Sequence, residues 1–137
     1  MSLDIQQRFK GLLPDLLGME FTEVSPDRVL ARLAVRKDLC TVGGNLHGGA
    51  IMAFADTLGA VVAILNMPEG ARTTTIESKT NFIRGAALGT GVTAESVPLH
   101  RGRTTVVCQT TVRSDAGKLV ALVTQTQLVI APAAPGA

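Results

Sequence analysis

One long apolar segment, residues 48–66, dominates what this chain of 137 residues can fold into. Projected on a helix at about 100° per residue, its bulky side chains fall on one side. They are Ile51, Phe54, Leu58, Val61 and Leu65. The other side carries Met52, otherwise only small residues, and Asp56, the only Asp, Glu, Lys or Arg between Leu39 and Pro68. A membrane span would place this carboxylate near its centre, at a cost of about 2.5–3.5 kcal/mol, so we interpret the segment as a buried helix of a soluble protein.

The segments that flank this helix have the composition and alternation of β-strands. Residues 29–35 alternate between two faces, and a shorter stretch, residues 20–24, precedes them across a Ser25-Pro26-Asp27 turn. After the helix, segments rich in Thr and Val predict four strands, at residues 73–83, 90–97, 103–113 and 118–130. Residues 114–117 predict a hairpin turn. One helix packed on an antiparallel sheet is an α+β architecture, which we expect as a single domain over residues 1–137.

The two ends of the chain differ from this body. Apolar residues at helical spacing within residues 1–18 predict one short helix that contains Pro14 and closes near Gly18. Residues 131–137 are only Ala, Pro, Gly and predict a flexible tail.

The predicted sheet is too large for its single helix. One helix covers only part of one sheet face, and we expect the long last strands to leave edges that need protection. Both features favour a homo-oligomer.

Composition and charge exclude several functions. Lys and Arg total 13 and Asp and Glu total 11, so the net charge of +2 is too weak to indicate a nucleic-acid surface, and Trp and Tyr are absent. Two cysteines, Cys40 and Cys108, do not make a disulfide framework. His47 and His100 are far apart in the sequence with no ligand cluster, so we predict no metal site. The first residues lack an apolar signal region, and we expect a cytoplasmic protein that binds no membrane.

Asp56 is the first candidate for chemistry. A carboxylate on a buried face is costly unless it is paired or functional. The alternative is an ordinary solvated Asp on the outside of a surface helix. A solvated face would usually carry more than one polar group, and this one does not, which favours the functional interpretation.

The start of the same helix is the second candidate. The first N–H groups of a helix have no partner within it and carry the positive end of its dipole. The Gly48 N–H can therefore stabilise an oxyanion, and His47 can position a carbonyl or a water molecule. Gly48 and Asp56 are about 12 Å apart along one helix, too far for both to reach one carbonyl. Two antiparallel copies of the helix would bring them together, so we predict a site between subunits.

The segment HGGAIMAFADTLGA resembles the hotdog-fold acyl-CoA thioesterases of the PaaI-like and 4-hydroxybenzoyl-CoA thioesterase group. The matching residues are Leu46, His47, Gly48, Gly49, Asp56, Thr57, Leu58 and Gly59. The resemblance implies a hotdog fold, an antiparallel sheet wrapped around one long helix, paired into dimers or dimers of dimers. It also implies hydrolysis of an acyl-CoA thioester without a cofactor, with Asp56 as general base or nucleophile and the Gly48 N–H from the facing subunit as oxyanion donor.

The same resemblance implies further site residues. Thr75 matches a position that helps to place water or substrate. Substrate contacts are assigned to Asn45, Leu46, Gly49, Thr57 and Ala60, and contacts with the CoA phosphates to Arg84, Arg101, Gly102 and Arg103. Thr41 stands where the family usually has Asn or Gln to orient the water or the nucleophile, and its hydroxyl has a shorter reach.

Other functions within this fold remain open at this point. A non-catalytic acyl-CoA sensor would share the binding features, although the intact Asp56 argues against it. The acyl-ACP dehydratases use a different pattern of His and carboxylate, which the sequence lacks.

Overall fold

The computed structural model describes residues 4–134. In chain order the elements are α1 (Ile5–Arg8), α2 (Leu13–Leu17), β1 (Glu20–Ser25), β2 (Arg28–Ala34), α3 (Gly48–Asn66), β3 (Arg72–Phe82), β4 (Gly91–Arg101), β5 (Thr105–Ser114) and β6 (Leu119–Ile130). A 3₁₀ turn, Lys37–Leu39, lies between β2 and α3. The six strands form one antiparallel sheet in the order β1-β2-β4-β5-β6-β3. The predicted α+β architecture is confirmed.

Helix α3 lies against the sheet and contacts every strand from β2 to β6. Ile51, Phe54, Leu58 and Val61 are buried as predicted, whereas Leu65 near the end of the helix is only half-buried. On the small side, Gly59 and Ala63 are also buried. The helix is long and apolar enough to cross a bilayer by length and composition alone. The helix is apolar because it packs on five strands at the centre of the core.

The edges of the sheet are β1 and β3. The expectation that the last strands leave open edges is wrong, because β6 lies between β5 and β3 and both β5 and β6 are interior strands. β3 has 11 residues, and it is the long edge. An edge strand presents a row of unpaired backbone groups, so β3 is the natural place for another chain to pair.

The N-terminal segment forms two short helices rather than the predicted single one. Gly11 adopts a positive φ of 77° between α1 and α2, and its N–H donates to Asp15 at 2.8 Å. Pro14 lies in the first turn of α2, where its missing N–H costs nothing, so it helps to start a second helix. Gly18 ends that helix, where the predicted helix was also expected to close, and it does so in the left-handed conformation. Of the predicted tail, residues 131–134 form no helix or strand, and residues 135–137 lie outside the described part.

The two cysteines occupy different environments. Cys108 is fully buried on β5, and burial raises the pKa of its thiol from 9.0 to about 12. Cys40 is half-buried near the start of the loop that leads to α3. Because the thiolate is the reactive form, we expect iodoacetamide at about pH 8 to label Cys40 in the native protein and Cys108 only after unfolding in guanidinium. Peptide mass spectrometry over time measures both sites, and equal native rates would contradict the burial of Cys108.

Candidate active site

Asp56 lies in the middle of α3, half-buried, with its carboxylate held from the sheet. The Thr75 hydroxyl donates to Asp56 Oδ1 at 2.6 Å, and Gln125 Nε2 lies 3.3 Å from the same oxygen. Gln125 Nε2 also lies 3.3 Å from the backbone carbonyl oxygen of Asp56. Within residues 4–134, Oδ2 accepts no hydrogen bond. One carboxylate oxygen is therefore fixed and the other is available.

A second layer of hydrogen bonds supports Thr75. Gln127 Nε2 donates to Thr75 Oγ1 at 2.6 Å, and the Thr73 hydroxyl lies 3.0 Å from Gln127 Oε1. Gln125 and Gln127 are both completely buried on β6. Neither amide was predicted from the sequence. The signal was present, because the alternation of β6 places them on the same face as Val123 and Val129, where an apolar residue is expected.

The carboxylate opens into a depression of about 280 Å³. Its walls are Met52, Ala53, Asp56, Thr75 and Ser78. Thr75 and Ser78 are three residues apart and line the same depression because β3 has a β-bulge: Thr75 pairs with Gln127 and Glu77 with Thr126, which leaves Ile76 as the extra residue. Bulges commonly redirect side chains beside functional sites, and this one does so beside Asp56.

His47 caps the start of α3. Its Nδ1 accepts a hydrogen bond from the Gly49 N–H at 2.7 Å, so the neutral ring carries its proton on Nε2. The Gly49 N–H is thereby occupied. The Gly48 N–H has no acceptor among residues 4–134, as expected for the first residue of a helix. A Cβ at Gly48 would lie 3.1 Å from Phe82 Cε1, so the backbone and this ring approach closely.

A second cavity, of about 360 Å³, lies at this end of the helix. It is lined by Leu46, Gly48, Ile51, Phe82, Ile83, Arg84 and Gly85. Arg84, predicted to contact CoA, is thus beside Gly48, and its guanidinium donates to the Leu119 carbonyl at 3.1 Å. Leu46 is buried in the cavity wall. The predicted phosphate contact and the predicted oxyanion donor therefore share one opening.

The structure separates other predicted site residues from this cavity. Arg101 pairs with Asp27 in the β1–β2 turn. Gly102 is required by its own turn, because a Cβ there would lie 2.9 Å from the Thr105 carbonyl oxygen, and Arg103 is exposed in the same turn. Within one chain the Arg101–Arg103 turn adjoins the opposite end of α3, where Asn66 Nδ2 donates to the Pro26 carbonyl.

Four further predicted residues have mainly local partners. Thr41 is exposed in a turn in which its N–H donates to the Asn45 carbonyl at 2.8 Å. The Asn45 side chain packs over Gly85, beside the cavity. The Thr57 hydroxyl donates to the Ala53 carbonyl at 2.8 Å, within its own helix. Ala60 is half-buried on the side of α3 that carries Asp56.

Comparison with known proteins identifies the family. The model of the thioesterase superfamily matches residues 43–121. The chain belongs to the thioesterase superfamily. The Mycobacterium tuberculosis protein Rv1847, named an esterase, is 34% identical over 108 residues, which are 77% of this chain and 76% of the relative. The thioesterase HI1161 of Haemophilus influenzae has a TM-score of 0.90 and 26% identity, covering 100% of this chain and 97% of that one.

A third similar protein was crystallised with a ligand. The structure of smu.793 from Streptococcus mutans, bound to acetyl CoA, has a TM-score of 0.77 and 25% identity, covering 85% of this chain and 91% of that one. These likenesses confirm the hotdog fold and show that the chain is an enzyme of the thioesterase class. The span matched by the superfamily model includes Gly48, Asp56 and Thr75 and ends before Gln125 and Gln127. In this thioesterase the two buried amides thus lie outside the matched span.

Proposed function

We propose that this thioesterase hydrolyses an acyl-CoA thioester to a free acid and CoA. In this proposal, Asp56 supplies the general base or the nucleophile, and the Gly48 N–H of the facing protomer stabilises the oxyanion. The observation that carries it is the state of the Asp56 carboxylate: one oxygen is held by Thr75 at 2.6 Å, and the other is left without a partner within residues 4–134, at a depression. Fixing the carboxylate through one oxygen leaves the other free to meet a proton or a carbonyl carbon.

The separation of Asp56 and Gly48 supports a shared site. Eight residues of helix place them about 12 Å apart in one chain, whereas a reacting carbonyl needs both groups within about 3 Å. The open β3 edge offers a way to bring two copies together, because an antiparallel partner strand would satisfy its free backbone groups. Thr75 and Ser78 lie on that strand, so such pairing would place the second protomer beside the Asp56 depression.

CoA as the leaving group is supported by the cavity beside Gly48 and by the bound relative. Arg84 stands at the cavity that Gly48 lines, where a cation can meet a phosphate. Acetyl CoA bound to smu.793 shows that a protein of this fold takes such a ligand. Arg101 and Arg103 can contribute only from a different protomer, because in their own chain they lie toward the other end of α3.

Two reaction routes fit the arrangement, and both balance. In the first, Asp56 takes a proton from water, the resulting hydroxide attacks the thioester carbonyl, and the C–S bond breaks as CoA leaves as a thiolate and takes up a proton. In the second, Asp56 attacks the carbonyl, and the C–S bond breaks as CoA leaves as a thiolate and takes up a proton. Water then cleaves the resulting mixed anhydride to the free acid and regenerates Asp56. In both, negative charge develops on the carbonyl oxygen, to which the Gly48 N–H can donate a hydrogen bond.

The test is release of free CoA from a panel of acetyl-, medium-chain acyl-, benzoyl- and phenylacetyl-CoA, followed with a thiol reagent. We expect turnover of at least one aryl or medium-chain member by the oligomeric protein, because the walls around Asp56 are largely apolar. Binding of several members without release of CoA would instead indicate a sensor. Failure to cleave any of them would reject the proposal.

A further inference from the structure

We infer that Gln125 and Gln127 are positioning residues that fix the orientation of the Asp56 carboxylate. The inference rests on the proposed role of Asp56 and extends it to two residues of β6. Both side chains are completely buried, and both are connected to Asp56, one directly and one through Thr75. Neither amide has another side-chain partner apart from Thr73 among residues 4–134.

Gln127 determines the direction in which the Thr75 hydroxyl donates. Its Nε2 donates to Thr75 Oγ1 at 2.6 Å, so the single proton of that hydroxyl is directed to Asp56 Oδ1, also at 2.6 Å. The reversed amide would present Oε1 to Thr75 and draw the proton away from Asp56. The Thr73 hydroxyl lies 3.0 Å from both Gln127 Oε1 and the Leu128 carbonyl oxygen, and when its proton points to Gln127 it favours the observed orientation.

Gln125 contacts Asp56 through its amide nitrogen, and its amide oxygen is left without a partner among residues 4–134. Its Nε2 lies 3.3 Å from both Asp56 Oδ1 and the Asp56 carbonyl oxygen, whereas its buried Oε1 has no partner among residues 4–134. Turning the amide around would face Oε1 towards the carboxylate, which is repulsive. Buried polar groups without partners are uncommon, and this one is explained if the donor end is needed at Asp56.

Gly59 makes room for this contact. A Cβ at Gly59 would lie 2.3 Å from both Cδ and Nε2 of Gln125, far inside contact distance. The Gln125 amide therefore packs directly against α3 at Gly59, which follows Asp56 by three residues. Position 59 must therefore be glycine to leave room for the buried amide. That amide connects Asp56 of α3 to a strand more than 60 positions later.

The test of Gln127 is a double-mutant cycle on acyl-CoA hydrolysis. Gln127→Met keeps the side-chain length and removes the amide, and we expect kcat to fall about tenfold with KM unchanged, since only the alignment of Asp56 is lost. In a Thr75→Val background the same substitution is expected to have little further effect, because its route to Asp56 is already absent. Wild-type kcat in Gln127→Met, or a loss that adds in full to that of Thr75→Val, would overturn the inference.

A matched control separates positioning from general damage to the core. Thr110, also completely buried, donates to Ser96 at 3.0 Å and shares no hydrogen bond with the Asp56 group. We expect Thr110→Val to lower the unfolding temperature and to leave kcat unchanged. An equal loss of kcat in Thr110→Val and Gln127→Met would mean that any buried polar deletion is harmful, and would overturn the inference.

Gly59 provides a second route if Gln127→Met folds poorly. Gly59→Ala is expected to displace the Gln125 amide and lower both stability and kcat, whereas Gly59→Ala/Gln125→Ala is expected to recover stability and not kcat. Recovery of kcat in the double variant would overturn the role of Gln125. Asp56→Ala is measured alongside: if it turns over like wild type, the proposed function fails, whereas an impaired Asp56→Ala with an unimpaired Gln127→Met rejects this inference alone.

Discussion

Replacement of Asp56 by alanine is expected to lower kcat for acyl-CoA hydrolysis by about 10²–10⁴-fold, the usual contribution of a positioned general base. The loss should fall mainly on kcat, because the small depression around Asp56 supplies only part of the substrate contacts. Thiol release under saturating substrate measures kcat, and gel filtration with circular dichroism establishes that the variant keeps its fold and assembly.

Glu69→Gln is the matched control, since Glu69 is an exposed carboxylate in the turn after α3. It should behave as wild type. A folded, oligomeric Asp56→Ala protein with wild-type turnover would show that the carboxylate has no part in the reaction.

The second large effect is expected from Gly48→Pro, which deletes one N–H and adds a ring. Gly48 is the first residue of α3, a position that proline tolerates, and His47 has φ −63° and ψ 136°, the extended conformation that a residue before proline adopts. Loss of one oxyanion donor typically lowers kcat by about 10²–10³-fold. Steady-state kinetics on the best CoA ester of the panel measure the change.

Gly48→Ala separates the N–H from the bulk of a side chain. It keeps the donor and adds a Cβ that would lie 3.1 Å from the half-exposed Phe82 ring, which has room to shift. We expect Gly48→Ala to retain much more activity than Gly48→Pro. Equal losses in the two variants would assign the effect to crowding at Phe82.

Mixing the two inactive proteins tests whether the site is shared. In a mixed dimer of Asp56→Ala and Gly48→Pro protomers, one of the two sites receives an intact Asp56 and an intact Gly48. Random exchange of equal amounts should restore about a quarter of wild-type activity. If each chain used its own Asp56 and Gly48, mixing would restore nothing.

Local patterns were sufficient to predict most of the fold. Alternation and Thr/Val content located every strand, with errors mainly at the ends: β4, for example, continues to Arg101 rather than stopping at residue 97. The order of the strands in the sheet was not predicted, because it depends on pairing between residues far apart in sequence. That is why the open edge was assigned to the last strands instead of β3.

The candidate site was predictable only in its local parts. Asp56 was conspicuous as a single charge in an apolar helix, and His47 and Gly48 as the start of that helix. Gln125 and Gln127 were not, because the alternation of β6 places them on the apolar face but does not show that this part of the face lies under Asp56. The separation of Arg101 from Arg84 likewise depends on the tertiary fold. In the sequence the two look alike, because each arginine is followed by a glycine.

The extra residue at Ile76 determines which changes in length β3 can accommodate. Before it, Thr75 faces Asp56; after it, the strand continues to Phe82, which covers Gly48 of the same chain. Deleting Ile76 would remove the bulge and place Thr75 and Glu77 opposite consecutive residues of β6, so Thr75 and the Phe82 ring could both keep their neighbours on α3 in a regular strand. Between its two helix contacts, β3 can therefore lose one residue at the bulge, whereas one added residue would turn one half of the strand to the other face.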